Sequence, residues 1–422
     1  MSFRATQPDI NPFRDIELKE PVVYVLKNGI SLYVFPSNEN FIKLNFFFKA
    51  GHFIQTKPLQ AHFTNKMLTE GTESYSAAQI SEQMDFYGVR LLAGTNEDRG
   101  SVTAVTLKKN YEIILPIISE ILFKPTFPEK ELETQKKITL QQFRVSNEKV
   151  ANIAKNHFLE MLYGNKNFYG YRTTENDFLH IQREDLIGFH NAYYLNGLDF
   201  ITLSGNISDA ELKATFSFFE DIPVKAINPS KNCLDFIASK TNKKHIQKED
   251  ALQTGLRIGR VLFNRAHPDD IAFRVLNMVL GGYFGSRLMN NIRERNGYTY
   301  GIYSMLVSLE HSGYFTIATE VGRQVKDAAL KEIYFEIADI QNKKISDEEL
   351  QLVKNYMTGQ FLRQIDGQVN FSSLYENLIP YGLGTAYLYK YLNEVTETTP
   401  ETLLSLAQRY LSSDKLLEVT AG

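Results

Sequence analysis

The sequence predicts an α+β protein made of two copies of one domain, each an antiparallel-rich sheet covered by helices. Three observations carry the prediction. A chain of 422 residues is too long for one hydrophobic core and suits two domains of about 200 residues each. Runs with strand alternation and runs with helical spacing are mixed throughout, rather than segregated. Finally, the second half repeats the first, weakly but in order. Pro-Glu-Lys-Glu-Leu at 128–132 resembles Ser-Asp-Glu-Glu-Leu at 346–350, Lys136 has a counterpart in Lys354, and Tyr169-Gly170 matches Tyr381-Gly382. Residues 185–195 match 401–411, and the run ending at Gly205 matches the run ending at Gly422, all at an offset of about 212–218 residues. The expected division is a first domain over 1–222, a linker over 223–250 and a second domain over 251–422.

The elements follow from local chemistry. Residues 22–36 hold two alternating β-rich runs around Asn28-Gly29, a strong short hairpin signal. Residues 43–50 read as a third strand. A helix over 60–70 is stopped by Gly71, and a second, opened by Ser76, carries Ile80 and Met84 on its apolar stripe and stops at Gly88. Residues 89–95 and 101–107 read as strands paired around a turn at 96–100. An Ile- and Leu-rich helix spans 111–123. A longer one spans 128–144, with Glu129, Glu131 and Glu133 in its first turns, where carboxylates suit the helix dipole. Residues 200–205 form a buried strand. The proline, asparagine and lysine content of 222–250 marks a connection, with a short strand at 233–238 inside it and the lysine run 240–244 as a solvated loop.

Composition excludes several function classes. A net charge of -3 offers no surface for nucleic acid or anionic lipid. A single cysteine, Cys233, rules out a disulfide framework and any multi-cysteine metal site. The first fifteen residues include Arg4, Asp9 and Arg14 and no apolar run, and no stretch has the length of a membrane span, so a cytoplasmic location is expected.

The stretch 281–304 stands apart. A glycine-rich turn, Gly281-Gly282-Tyr283-Phe284-Gly285, leads into a short helical segment that Gly297 stops, and Tyr298, Tyr300 and Tyr303 follow in a strand-like run. Arg293 and Tyr300, seven residues apart, bracket that stop. Folded toward one another, a guanidinium and a phenol donate to one carbonyl oxygen as it gains negative charge. On these residues alone a second interpretation stands beside it, with Arg293 in a surface ion pair and Tyr300 half-buried in a strand.

Taken together, the hairpin at Asn28-Gly29, Ala61-His62-Phe63, Met67-Leu68, Gly71-Thr72, Tyr169-Gly170 with Thr173-Thr174-Glu175, Tyr194 before its strand, and the 281–304 stretch give the chain a likeness. It resembles the insulinase/pitrilysin class of metallopeptidases, in particular the two-domain subunits of mitochondrial processing peptidase and its bacterial heterodimeric relatives. The resemblance covers nearly the whole chain. It implies two similar domains facing each other around a chamber in which extended peptides are cut.

The resemblance also implies an inverted H-x-x-E-H zinc motif with a distant carboxylate ligand. Two His one helical turn apart bind the metal, and the Glu between them takes a proton from the metal-bound water. Here the matching segment is His62-Phe63-Thr64-Asn65-Lys66. The base position is the amide Asn65, the second ligand position the cation Lys66, and the third falls on Gln142. His62 is then a vestige or a core histidine. Nothing in the sequence recruits His52, and His157, His180, His190, His245, His267 and His311 are scattered without ligand spacing. In contrast, the Arg/Tyr pair with which the family holds the substrate carbonyl matches Arg293 and Tyr300, and the strand edge on which it lays peptides matches Ala93, Gly94 and Thr95.

These expectations combine into a non-catalytic subunit of a zinc-dependent heteromeric peptidase. It would bind no cofactor itself. Its partner would be a homologous catalytic subunit with an intact zinc motif, and its substrate an extended or unfolded peptide. A structural or peptide-binding scaffold of the same fold is the alternative, and an active peptidase with atypical ligands the remote one.

Overall fold

The computed structural model describes residues 16–225, 239 and 241–422. Cys233 and the strand expected at 233–238 lie outside the described residues.

The first half opens with the expected hairpin, β1 (Val22–Val25) and β2 (Ser31–Pro36), paired antiparallel with Tyr24 opposite Leu32. β3 (Phe41–Phe48) follows, then α1 (Gln60–Met67) and α2 (Ala77–Phe86). A capping box fixes the start of α2: Ser76 accepts from the Gln79 N–H while the Gln79 side chain accepts from Ser76 N–H. β4 (Arg90–Thr95) and β5 (Gly100–Leu107) form the second hairpin. Five helices precede the last strand: α3 (Tyr111–Phe123), α4 (Glu129–Asn147), α5 (Val150–Tyr163), α6 (Glu175–His180) and α7 (Arg183–Tyr193); β6 (Leu198–Gly205) and α8 (Asp209–Phe219) follow.

The second half runs β7 (Lys243–Ile246), β8 (Gln253–Leu262), α9 (Asp270–Asn277), β9 (Ile302–Ser308), β10 (Gly313–Gly322), α10 (Lys326–Asn342), α11 (Asp347–Ile365), α12 (Gln368–Glu376), α13 (Thr385–Glu397), α14 (Pro400–Tyr410) and β11 (Leu417–Ala421).

The repeat read from the sequence is a repeat of topology. The first sheet has the order β1-β2-β6-β3-β5-β4 and the second β7-β11-β8-β10-β9. With the extra β1 set aside, each strand has a counterpart with the same neighbours. The directions agree too, because both sheets are antiparallel except for one parallel pair, β2 with β6 and β7 with β11. Both matched lysines also do the same thing: Lys136 donates to the Ile181 carbonyl (3.2 Å) and Lys354 to the Thr396 carbonyl (2.7 Å), each at the C-terminal end of a helix, where a cation suits the dipole. One expectation changes. Lys243 and Lys244, read as part of a loop, lie in β7 at the sheet edge, where lysines discourage further strand pairing. Lys243 reaches Glu418 and Lys244 reaches Glu160, each at 3.2 Å.

The halves are joined by exchange. α5 leaves the first half and lays Ala154, Phe158 and Leu162 against Leu417 and Val419 of the second sheet. Its counterpart α12 lays Phe371 and Tyr375 against Phe35 of the first sheet, with ring centroids 5.8 and 5.5 Å away. The two equivalent hairpin turns, β4–β5 and β9–β10, also meet. Arg99 from one pairs with Glu310 of the other and with Asp199, Asp98 accepts the Glu310 N–H (3.0 Å), and the Tyr169 phenol donates to Asp98. Contacts of this self-complementary kind are those of a two-fold dimer, here made within one chain. A cleft of about 190 Å³ opens beside these turns, lined by both halves.

Candidate functional site

The helix that carries the zinc-motif positions, α1, packs across β4 and β5 in the first half. Phe63 and Met67 fill the core beneath it. His62 is half-buried, and its Nε2 is enclosed with no hydrogen-bond partner. Burial first, then nearby His52 and Lys66, hold its imidazole down to about 4, so it is neutral at pH 7. Asn65 is 2% exposed and has a different task. Its amide donates to Tyr194 Oη (2.9 Å) and to the Ser101 carbonyl (3.2 Å), tying α1 to β5 and to the end of α7. Lys66 is half-buried on the same helix, and Gln142 stands exposed on α4.

His62 and Gln142 share one cleft, of about 410 Å³, with Phe143, Phe178 and Arg172 also in its wall. The fold therefore brings two of the four zinc-motif positions to one cavity, but the donor set does not fit the metal. An amide locked in a structural hydrogen bond, an ammonium and an exposed amide replace the base and two anionic or imidazole ligands. Among the described residues no three His, Cys, Asp or Glu side chains stand together as a metal site. His52 is a residue whose place the sequence did not reveal. It begins a short 3₁₀ turn, His52–Ile54, and its Nε2 lies 3.2 Å from Thr95 Oγ1, beneath the end of β4. Only the pairing of β4 with β5 puts Thr95 there, and no spacing in the sequence signals it.

Ala93, Gly94 and Thr95 are the last residues of β4, which has a neighbour on one side only and so forms the edge of its sheet. Ala93 and Gly94 are exposed, and nothing lies within 4 Å of the space a side chain on Gly94 would fill. The backbone there is open to pairing with another strand.

The 281–304 stretch folds differently in detail from the expectation. Residues Met278–Gly282 form a π-helical turn, and Gly281 serves close packing rather than flexibility. A Cβ on Gly281 would come within 2.6 Å of Ser304 Oγ and 2.8 Å of Ser304 N. Met289–Arg295 is a second π-helical segment, buried through Met289, Asn291 and Ile292, and Gly297 at φ +64 ends it. π-turns of this kind concentrate at functional sites. Tyr298 and Tyr300 precede the strand instead of lying in it. Thr299 Oγ1 donates to the Gly301 and Glu320 carbonyls and accepts from the Gly301 N–H, and this local ring holds residues 299–301 off the ladder, which starts at Ile302 opposite Thr319.

Arg293 and Tyr300 consequently both face outward. Tyr300 is 93% exposed. The Arg293 guanidinium rests 4.7 Å from the ring centre of exposed Phe284, with Glu294 3.5 Å from its Nε. No hydrogen bond joins Arg293 to Tyr300 among the described residues. Neither residue lines the His62 cleft, whose walls belong to the first half.

Comparisons with known proteins agree with this fold. The family model described as Insulinase (Peptidase family M16) matches residues 36–172, and the one described as Peptidase M16 inactive domain matches 180–357. The chain is 25% identical over 359 residues to a Bacillus subtilis protein named "Uncharacterized zinc protease YmxG", covering 85% of this chain and 87% of that one. It is 26% identical over 354 residues to a Helicobacter pylori protein named "Non-peptidase homolog YmxG", covering 82% and 77%. Among solved structures, a peptidase M16 inactive domain from Pseudomonas fluorescens superposes with a TM-score of 0.83 at 23% identity, covering 95% and 98% of the two chains. A Helicobacter pylori protease superposes with a TM-score of 0.87 at 17% identity, covering 96% and 100%.

Proposed function

Because the chain belongs to the insulinase family of M16 peptidases, yet has Asn65 locked into its own core where that chemistry needs a base, we propose that it is the non-catalytic subunit of a heteromeric zinc-dependent peptidase. The observation that carries the proposal is the division between the halves. The first half has lost the means to hold zinc and move a proton, while the second presents Arg293 and Tyr300 to the outside, free of any buried partner.

In this reading a homologous subunit with an intact motif supplies the metal-bound water. Arg293 and Tyr300 donate to the scissile carbonyl oxygen of a peptide held by that partner. Their benefit lies in favouring the developing oxyanion over the ground-state carbonyl. The open edge at Ala93, Gly94 and Thr95 supplies main-chain donors and acceptors for an extended peptide.

The test is reconstitution. The purified chain alone should cleave no peptide at any zinc concentration. With the partner subunit present, Arg293→Ala and Tyr300→Phe should each lower kcat roughly 100- to 1000-fold, the usual cost of one oxyanion donor, with little change in KM. Full turnover by a complex carrying both substitutions would instead make the chain a peptide-binding scaffold. Zinc-dependent cleavage by the single chain, abolished by His62→Ala, would overturn the reading altogether.

A further inference from the structure

The second half contains a cavity that the proposed function leaves unused. It occupies the place that the His62 cleft occupies in the first half. α4 and α11 are both 19 residues long, and corresponding positions line the two cavities: Thr139 with Met357, Gln142 with Gln360, Phe143 with Phe361. The volume is about 290 Å³, at the lower end of the range for ligand pockets.

Its chemistry is cationic. Arg274 is matched, because its Nε and Nη2 each lie 2.9 Å from an oxygen of Asp270, and Nη2 also donates to Ser308 Oγ (3.1 Å). Asp270 is fully buried and also accepts from the Tyr387 phenol (2.9 Å), so both of its oxygens are engaged. Arg265, on the loop before α9, is left over. It has no salt-bridge partner among the described residues, and its Nε is enclosed without an acceptor. Burial and the neighbouring Arg274 both work against its charge, while Asp270 and the phenols of Tyr387 and Tyr381 offset only part of that.

A second group in the wall is also unmatched. Asn277 is 8% exposed, and its Nδ2 donates to the Ser304 carbonyl (3.2 Å), which fixes the amide orientation. Its Oδ1 is then a buried acceptor without a donor. A half-buried guanidinium whose enclosed Nε has no acceptor and an enclosed amide oxygen without a donor both destabilise the empty protein. Such groups collect where a ligand completes them. Met357, Phe361 and Leu388 give the wall an apolar side, and Gln360, Gln364 and Asn377 add amides.

We propose that this cavity binds the C-terminal end of a peptide, with the carboxylate on Arg265, the last peptide N–H donated to Asn277 Oδ1, and the terminal side chain among Met357, Phe361 and Leu388. The volume admits one or two residues. Asn377 lines both this cavity and the cleft between the halves, so the two are neighbours. The source of the peptide rests on the reading of the protein as a peptidase subunit, but the recognition chemistry does not.

Isothermal titration of the full chain, without partner or zinc, tests the site, so that its failure leaves the subunit reading untouched and the converse also holds. The probes are N-acetyl-Ala-Leu with a free carboxylate, the same dipeptide as its C-terminal amide, and free leucine. The expected result is saturable binding of the acid, weakened tenfold or more in the amide and in Arg265→Gln, as befits loss of a hydrogen bond to a charged group. Arg265→Gln should also melt no lower than the parent, because it removes a half-buried charge that has no salt-bridge partner among the described residues. Equal affinity for acid and amide, binding of leucine but not of the dipeptide acid, undiminished binding in Arg265→Gln, or a lower melting temperature for that variant would each overturn the assignment.

Discussion

At the scale of the residue, Asn65 is a structural amide. Its amide satisfies the Ser101 carbonyl and the fully buried Tyr194 phenol. Asn65→Ala leaves both without their donor and is expected to cost about 1–3 kcal/mol, measurable as a lower urea midpoint. Asn65→Glu, which would restore the lost base, should cost more, roughly 3–5 kcal/mol, because it buries an unpaired carboxylate opposite a carbonyl. If the glutamate variant were as stable as the parent, Asn65 would be a tolerant vestige rather than a built-in part of the core. The sequence showed that a base was missing here. It did not show that an amide was needed, because Ser101 and Tyr194 come beside Asn65 only through the packing of α1 on β5 and α7.

At the scale of the element, α12 shows what holds the exchanged helices in place. Glu376, the last residue of α12, reaches into the first sheet. It accepts from Asn45 Nδ2 (2.6 Å), Thr202 Oγ1 (2.7 Å) and Lys43 Nζ (3.3 Å). Its side chain is 10% exposed and that of Lys43 13%. Removing one partner of such a buried pair is costly because the other charge stays behind. Glu376→Ala should therefore destabilise the protein by about 3–5 kcal/mol, and faster amide exchange across α12 and β6 should locate the loss. Protection confined to its parental pattern would mean that the aromatic contacts of Phe371 and Tyr375 dock the helix unaided. The hairpin at Asn28-Gly29, the capped helix after Ser76 and the glutamate-rich start of α4 were legible in the sequence, because each is decided by residues within a few positions. The exchange was not. An apolar stripe says that a helix must be covered, and α12 and α5 could each have been covered by their own half. β7 escaped for the opposite reason, since an exposed edge strand of lysines has no apolar face to betray it.

At the scale of the whole molecule, the duplication was legible from a handful of matched positions, and the strand orders, which match once β1 is set aside, bear it out. What joins the copies was not legible, because the network at the two hairpin turns links residues about 211 positions apart. That network carries more negative than positive charge. Arg99 serves both Asp199 and Glu310, Lys49 lies 3.2 Å from Asp199, and Asp98 adds a further carboxyl. Burial, with Asp98 and Asp199 adding to it against the pull of Arg99, pushes the Glu310 carboxyl up to about 7. The unfolded chain releases this proton near the ordinary carboxylate value, the folded one only near neutrality. Between those two pH values the folded state binds more protons, so stability from this group is complete at the acid end and is lost as pH rises through about 7. Glu310→Gln fixes the neutral form and keeps an acceptor for Arg99. Denaturant titrations of the parent from pH 5.5 to 8 should therefore show an extra fall, on the order of 1–3 kcal/mol, that is absent in Glu310→Gln. The histidines pull the other way: burial lowers His52, His190 and His311, which favours the folded state as pH rises toward neutrality. The comparison is thus between the two proteins at each pH and not between pH values in one of them. Parallel curves for parent and variant would show that Arg99 alone keeps Glu310 ionised and that the join between the halves is indifferent to pH.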